Sequence, residues 1–146
     1  LALIPRSMFF VRIIATLGVF NQIKGSHLID IKAIQDKLTI FSNEREWDQF
    51  QSPKNLSMGL VRESAELLEL FQWLTEKESI DIVHSEKQMG LVKEEMADVF
   101  LFLVRLADKL DVDIEKAALE KIKINESKYP INLSKGNMEK YNRRNK

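Results

Sequence analysis

Glu63-Ser64-Ala65-Glu66 and Glu95-Met96-Ala97-Asp98 are two acid pairs, each spaced i, i+3, with 28 residues between them. In a helix that spacing sets both carboxylates of a pair on one face. At 100° per residue, with Glu63 at zero, Glu66 falls at about 300°, Leu67 at about 40°, Leu70 at about 340° and Leu74 at about 20°. With Glu95 at zero, Asp98 falls at about 300°, Val99 at about 40°, Phe102 at about 340° and Leu106 at about 20°. Both pairs therefore lie inside an apolar stripe, and two helices aim acids at a core. Arg62, four residues before Glu66, is the one basic residue at i±3 or i±4 from any of the four. Two carboxylates about 4 Å apart repel by about 4 kcal/mol at an effective dielectric near 20, against about 5–15 kcal/mol for the stability of a whole domain. Such a group must protonate, stay apart or hold a metal. Oxygen donors without histidine or cysteine suit Mg²⁺, with Mn²⁺ as a substitute. Mg²⁺ held by a few carboxylates ordinarily also meets substrate phosphates, which points to phosphoryl chemistry. The Glu-x-x-His pairs of di-iron bundles are missing, and so is a glycine-rich phosphate loop.

The elements that must carry these acids are helices. The chain has 146 residues, the length of one domain, and folding at that size hides about two-thirds of its surface. Five glycines and three prolines favour long helices over a turn-rich β fold. Leu28, Ile31, Ile34, Leu38 and Phe41 recur at threes and fours, predicting a first helix over 28–44. A polar loop, 46–52, contains Trp47 and Phe50. Ser52-Pro53 reads as a cap with proline at the first helical position, opening a second helix to about Thr75. Residues 76–84 read as a charged connection. Ser85-Glu86-Lys87-Gln88 fits a capping box and starts a third helix to about Leu110. Asp113 caps a fourth, which Pro130 stops. The expected architecture is all-α, with four main helices in an antiparallel bundle.

Zero cysteines exclude a disulfide scaffold, a thiolate metal site and a cysteine nucleophile. With 22 basic and 22 acidic residues there is no global field for nucleic acid or membrane. No apolar run reaches the length of a membrane span; the nearest, residues 9–20, is twelve long and contains Arg12. No signal peptide is evident, and a cytoplasmic location is expected. Residues 1–25 read as an N-terminal extension, in which LALIPRS ahead of Met8 reads as added sequence and 9–25 as an arm. Residues 26–130 read as the catalytic domain. Residues 131–146 read as a basic tail, five cations against one acid from Lys135 onward, net +4.

The four acids resemble the ExxE…ExxD signature of the MazG-type all-α nucleoside triphosphate pyrophosphohydrolases. The text around them is similar to the branch containing the dCTP pyrophosphatases: residues 44–50 (EREWDQF), Pro53-Lys54-Asn55-Leu56, residues 66–73 (ELLELFQW), and Lys121-x-x-x-Asn125-x-x-x-Tyr129-Pro130. The likeness covers about residues 30–130. It implies a helical bundle assembled as a dimer or a dimer of dimers. It also implies hydrolysis of (deoxy)nucleoside triphosphates between the α and β phosphates, as house-cleaning of the nucleotide pool. Glu63, Glu66, Glu95 and Asp98 would then be the catalytic and metal-holding residues. Trp47 and Trp73 would hold the base, and Lys121, Asn125 and Tyr129 would meet phosphate and sugar. Two positions depart from the branch, Leu38 standing where it carries a histidine and Phe102 where it carries a tyrosine. The competing reading is a helical interaction or nucleic-acid-associated module, with structural acids and a tail that touches nucleic acid.

Overall fold

The computed structural model describes residues 29–143; the N-terminal extension over 1–25 and the last three residues of the basic tail lie outside them. Among the described residues the regular structure is entirely helical. Six α-helices follow one another: α1 (Ile31–Asn43), α2 (Pro53–Glu69), α3 (Glu76–Asp81), α4 (Glu86–Lys109), α5 (Ile114–Lys128) and α6 (Ile131–Ser134). Single turns of 3₁₀-helix lie at Asp48–Phe50, Ile82–His84 and Tyr141–Arg143.

Short polar side chains begin five of the helices, each accepting a backbone N–H that the first turn leaves without a partner. Asp30 accepts from Ala33 at 2.9 Å, Ser52 from Asn55 at 3.3 Å, Ser85 from Gln88 at 3.4 Å and Asp113 from Lys116 at 2.9 Å. At α3 the capping box is complete. Thr75 accepts from the Glu78 N–H at 3.3 Å while Glu78 accepts from the Thr75 N–H at 2.8 Å. That box corrects two expectations. Thr75 takes an extended backbone to cap α3, so α2 does not run to Thr75; it ends at Glu69, with turns over 70–73 and a bend at 74. Residues 76–84 are therefore a short helix and a 3₁₀ turn, not an irregular connection.

Two helices close without glycine. After α1, Trp47 N–H reaches Ser42 O at 2.9 Å and Glu46 N–H reaches Asn43 O at 3.0 Å, with Glu46 at φ 55°. After α4, Val112 N–H reaches Ala107 O at 2.9 Å and Asp111 N–H reaches Asp108 O at 3.2 Å, with Asp111 at φ 52°. Both are Schellman closures, whose left-handed residue is usually glycine.

The core runs along α2 and α4, with α1 laid on α4. Gln51 just ahead of α2 bonds Arg105, Gly59 faces Phe102 and Glu63 lies beside Glu95, so rising numbers on one strand of the pair meet falling numbers on the other. The two helices are antiparallel. Leu56, Val92, Val104 and Ala107 are buried along them, and Leu38 joins from α1. By contrast, α5 buries none of its residues, and Leu119, Ile122 and Ile124 are exposed on it.

At Gly59 α2 approaches α4 closely, since a Cβ there would overlap the Phe102 ring. Gly90 on α4 has open space around it. Alanine favours a helix over glycine by about 1 kcal/mol, whereas overpacking a core costs about 1–3 kcal/mol. Urea denaturation should thus give opposite signs: Gly90→Ala stabilises by about 0.5–1 kcal/mol, and Gly59→Ala destabilises by about 1–2 kcal/mol.

Candidate metal and nucleotide site

The antiparallel α2–α4 pair brings the two acid motifs face to face. Glu63, Glu66 and Glu95 each offer a carboxylate oxygen, and the three oxygens lie within 4.8 Å of one another. Glu63 is 4% exposed although it is a charged residue, as its place inside the apolar stripe requires. Asp98, one turn beyond Glu95, is also buried but is not among the three converging oxygens.

Arg62 supplies part of the missing positive charge. Its guanidinium pairs with Glu63 Oε1 and lies 3.5 Å from Glu66 Oε1. The contact with Glu63 is between sequence neighbours, which is why a search at i±3 and i±4 finds Arg62 for Glu66 and misses it for Glu63. Half-exposed Arg62 does not satisfy the whole group. Among the described residues, Glu95 Oε2 is the buried side-chain atom that lacks a hydrogen-bond partner. Burial, then the charges of Glu66, Glu63 and Glu94, raise the Glu95 carboxyl above its usual range, with Arg62 opposing. For Asp98, burial followed by the charges of Glu63, Glu95, Glu66 and Glu94 pushes the carboxyl from 3.8 up to about 7. An orphaned buried oxygen beside two further carboxylates is a donor set that fits a hard divalent ion.

A second polar group was not legible as a site. Arg105 is buried on α4, and all of its partners lie on α4 or within residues 39–51. It donates to Gln51 Oε1 at 2.8 Å, Thr39 Oγ1 at 2.7 Å, Asp108 Oδ2 at 2.7 Å and Asp48 Oδ1 at 2.8 Å. Lys109 donates to the same Asp48 oxygen at 2.5 Å, and Ser42 Oγ donates to Gln51 Oε1 at 3.0 Å. The Lys109 hydrogen bond, with Arg105 behind it, holds the Asp48 carboxyl below its usual range. The available signal was a lone arginine within the apolar run Val99–Ala107.

The remaining expected site residues lie on other elements. Trp47 is half-buried, its ring edge-on to Phe41 with centroids 5.6 Å apart. Trp73 is 87% exposed. Because α2 stops at Glu69, Trp73 stands in the following turns and not beside Glu66 on a continuous helix. Lys121, Asn125 and Tyr129 line the exposed α5 and its end, where Tyr129 packs edge-on to Tyr141 at 5.8 Å. Among the described residues, α5 is not one of the main packing partners of the acid-bearing pair. Leu38 is a core residue, and Phe102 packs over Gly59.

Fold and site together define an all-α protein whose central helix pair carries a carboxylate group suited to a divalent cation. The sequence profile of the MazG-like family matches residues 61–143. The dCTP pyrophosphatase 1 of Homo sapiens is 42% identical over 127 residues, covering 87% of this chain and 73% of that protein. The dCTP pyrophosphatase 1 of Rattus norvegicus is 37% identical over the same length. A pyrophosphatase from Archaeoglobus fulgidus has a similar structure, with a TM-score of 0.65 at 35% identity, over 74% of this chain and 99% of that one. The chain belongs to the MazG-like family and is a nucleoside triphosphate pyrophosphohydrolase.

The raised carboxyls set a pH dependence. In the unfolded chain Asp98 ionises near 3.8, and in the folded chain near 7. Its contribution to stability is therefore fully present below 3.8 and is lost as pH rises through about 7. Glu95 acts in the same direction. Metal-free protein should lose urea resistance from about pH 5 to about pH 7. Asp98→Asn should flatten that slope, and so should millimolar Mg²⁺ in the parent.

Proposed function

We propose that the enzyme hydrolyses (deoxy)nucleoside triphosphates to the monophosphate and pyrophosphate, using Mg²⁺ (or Mn²⁺) held by Glu63, Glu66, Glu95 and Asp98. The convergence of three carboxylates, one with an orphaned buried oxygen, carries this reading. When bound, the ion neutralises phosphate charge and lowers the pKa of a coordinated water. The chain's acids do the rest. A water attacks the α phosphorus, loses its proton to one carboxylate of the group, and the bond to the bridging oxygen breaks as pyrophosphate leaves.

Base selection in this chain rests on stacking. Trp47 and Trp73 offer flat aromatic faces, and base stacking contributes about 1–3 kcal/mol with little regard to base identity. Buried Leu38 offers no hydrogen bond, and Phe102 lacks a hydroxyl. Both conditions favour a broad range of dNTPs and a house-cleaning role over strict selection of dCTP, the substrate named for the mammalian relatives.

Self-association, as a dimer or a dimer of dimers, completes the proposal. It would cover Leu119, Ile122 and Ile124 on α5, exposed in the single chain, and supply the fourth helix of the bundle. Lys121, Asn125 and Tyr129 would then bind the triphosphate and sugar. The protein acts in the cytoplasm in this reading, which is compatible with the finding that no helix among the described residues is long and apolar enough to cross a membrane.

Pyrophosphate release across a nucleotide panel, with and without Mg²⁺, tests the activity. Glu95→Gln should lower kcat at least about 100-fold while the fold is kept; full turnover in that variant would overturn the site. Trp47→Ala should raise KM about tenfold with kcat nearly unchanged.

A further inference from the structure

We infer that Arg105 is a positioning residue for the base-binding end of the site, fixing through Asp48 and Gln51 the angle at which the preceding loop presents Trp47. The inference rests on the reading of Trp47 as a base contact.

A buried guanidinium is expensive to desolvate, and an apolar side chain of similar size would ordinarily serve the core as well. Arg105 is kept in an apolar run that otherwise supplies Val104, Leu106 and Ala107. Beyond Asp108 on its own helix, every partner it bonds comes from the segment that carries Trp47: Thr39 from α1, then Asp48 and Gln51. None comes from the acid cluster. Trp47 is thus held from both sides. On the α1 side, its N–H closes on Ser42 O and its ring meets Phe41. On the other side, the next residue, Asp48, is fixed by Arg105 and Lys109. Gln51 Oε1 receives both Arg105 Nε and Ser42 Oγ, tying the two sides together. Fixed aromatic placement matters because misplacing a substrate contact by about 1 Å can cost about 100-fold in rate.

Asp48 is the partner to change, because its side chain is half exposed. Asp48→Ala should raise KM for a dNTP about tenfold with kcat within about twofold. In a Trp73→Phe background it should also increase acrylamide quenching of Trp47 fluorescence. Asp48→Asn keeps an oxygen acceptor for Arg105 and should return KM to within about twofold of the parent. In a Trp47→Ala background, Asp48→Ala should raise KM no further. A further rise there, or a loss confined to kcat, would overturn the inference. So would an unchanged KM and unchanged quenching in Asp48→Ala while Trp47→Ala still raises KM. If Trp47→Ala leaves KM unchanged while Asp48→Ala still loosens the ring, the reading of Trp47 as a base contact fails and the inference falls with it.

Discussion

Negative charge held between α2 and α4 is the constraint on which the rest of the structure depends. Glu63, Glu66 and Glu95 are close enough to repel strongly, and Arg62 offsets part of that repulsion. The fold accommodates the acids by making the helix pair around them long and closely packed, with Gly59 letting α2 come down against the Phe102 ring. The apolar neighbours that hold the helices together also exclude water from Glu63 and Asp98, and so sharpen their demand for a counter-charge.

The proposed base contact is built on different physics. The acid cluster sits in the regular middle of two helices, whereas Trp47 sits where a helix has just ended. Its placement depends on a left-handed Glu46, on the closure onto Ser42, and on a guanidinium reached from α4. Neutral hydrogen bonds contribute about 0.5–1.5 kcal/mol each, and those to charged groups more. Several together, shared among Arg105, Asp48 and Gln51, can hold a loop that has little apolar burial of its own.

Much of this was legible in the chain because periodicity reports which side chains share a helix face. The i, i+3 spacing within apolar stripes placed Glu63 and Asp98 in the interior, and Ser52-Pro53, Ser85 and Asp113 marked helix starts that the structure shows. The end of α2 was not legible, since Leu70 and Leu74 continue the apolar period. The next helix opens from its own capping box at Thr75, a local competition that a face pattern does not register. Nor was the Arg105 network, because its partners lie up to 66 residues away and a lone arginine in an apolar run does not name them. The α5 residues matched by motif, Lys121, Asn125 and Tyr129, are exposed, and a sequence pattern cannot say what would cover them.

The guanidinium that anchors the loop also orders events in time. Its bonds to Thr39, Asp48 and Gln51 span 66, 57 and 54 residues. Such contacts form after the chain between them has been drawn in, because loop closure costs entropy before any long-range bond offsets it. The helices can assemble and gather their acids while residues 46–51 are still loose. The loop is thus placed to lock after the α2–α4 pair, and its backbone amides should exchange with solvent before those of α2 and α4.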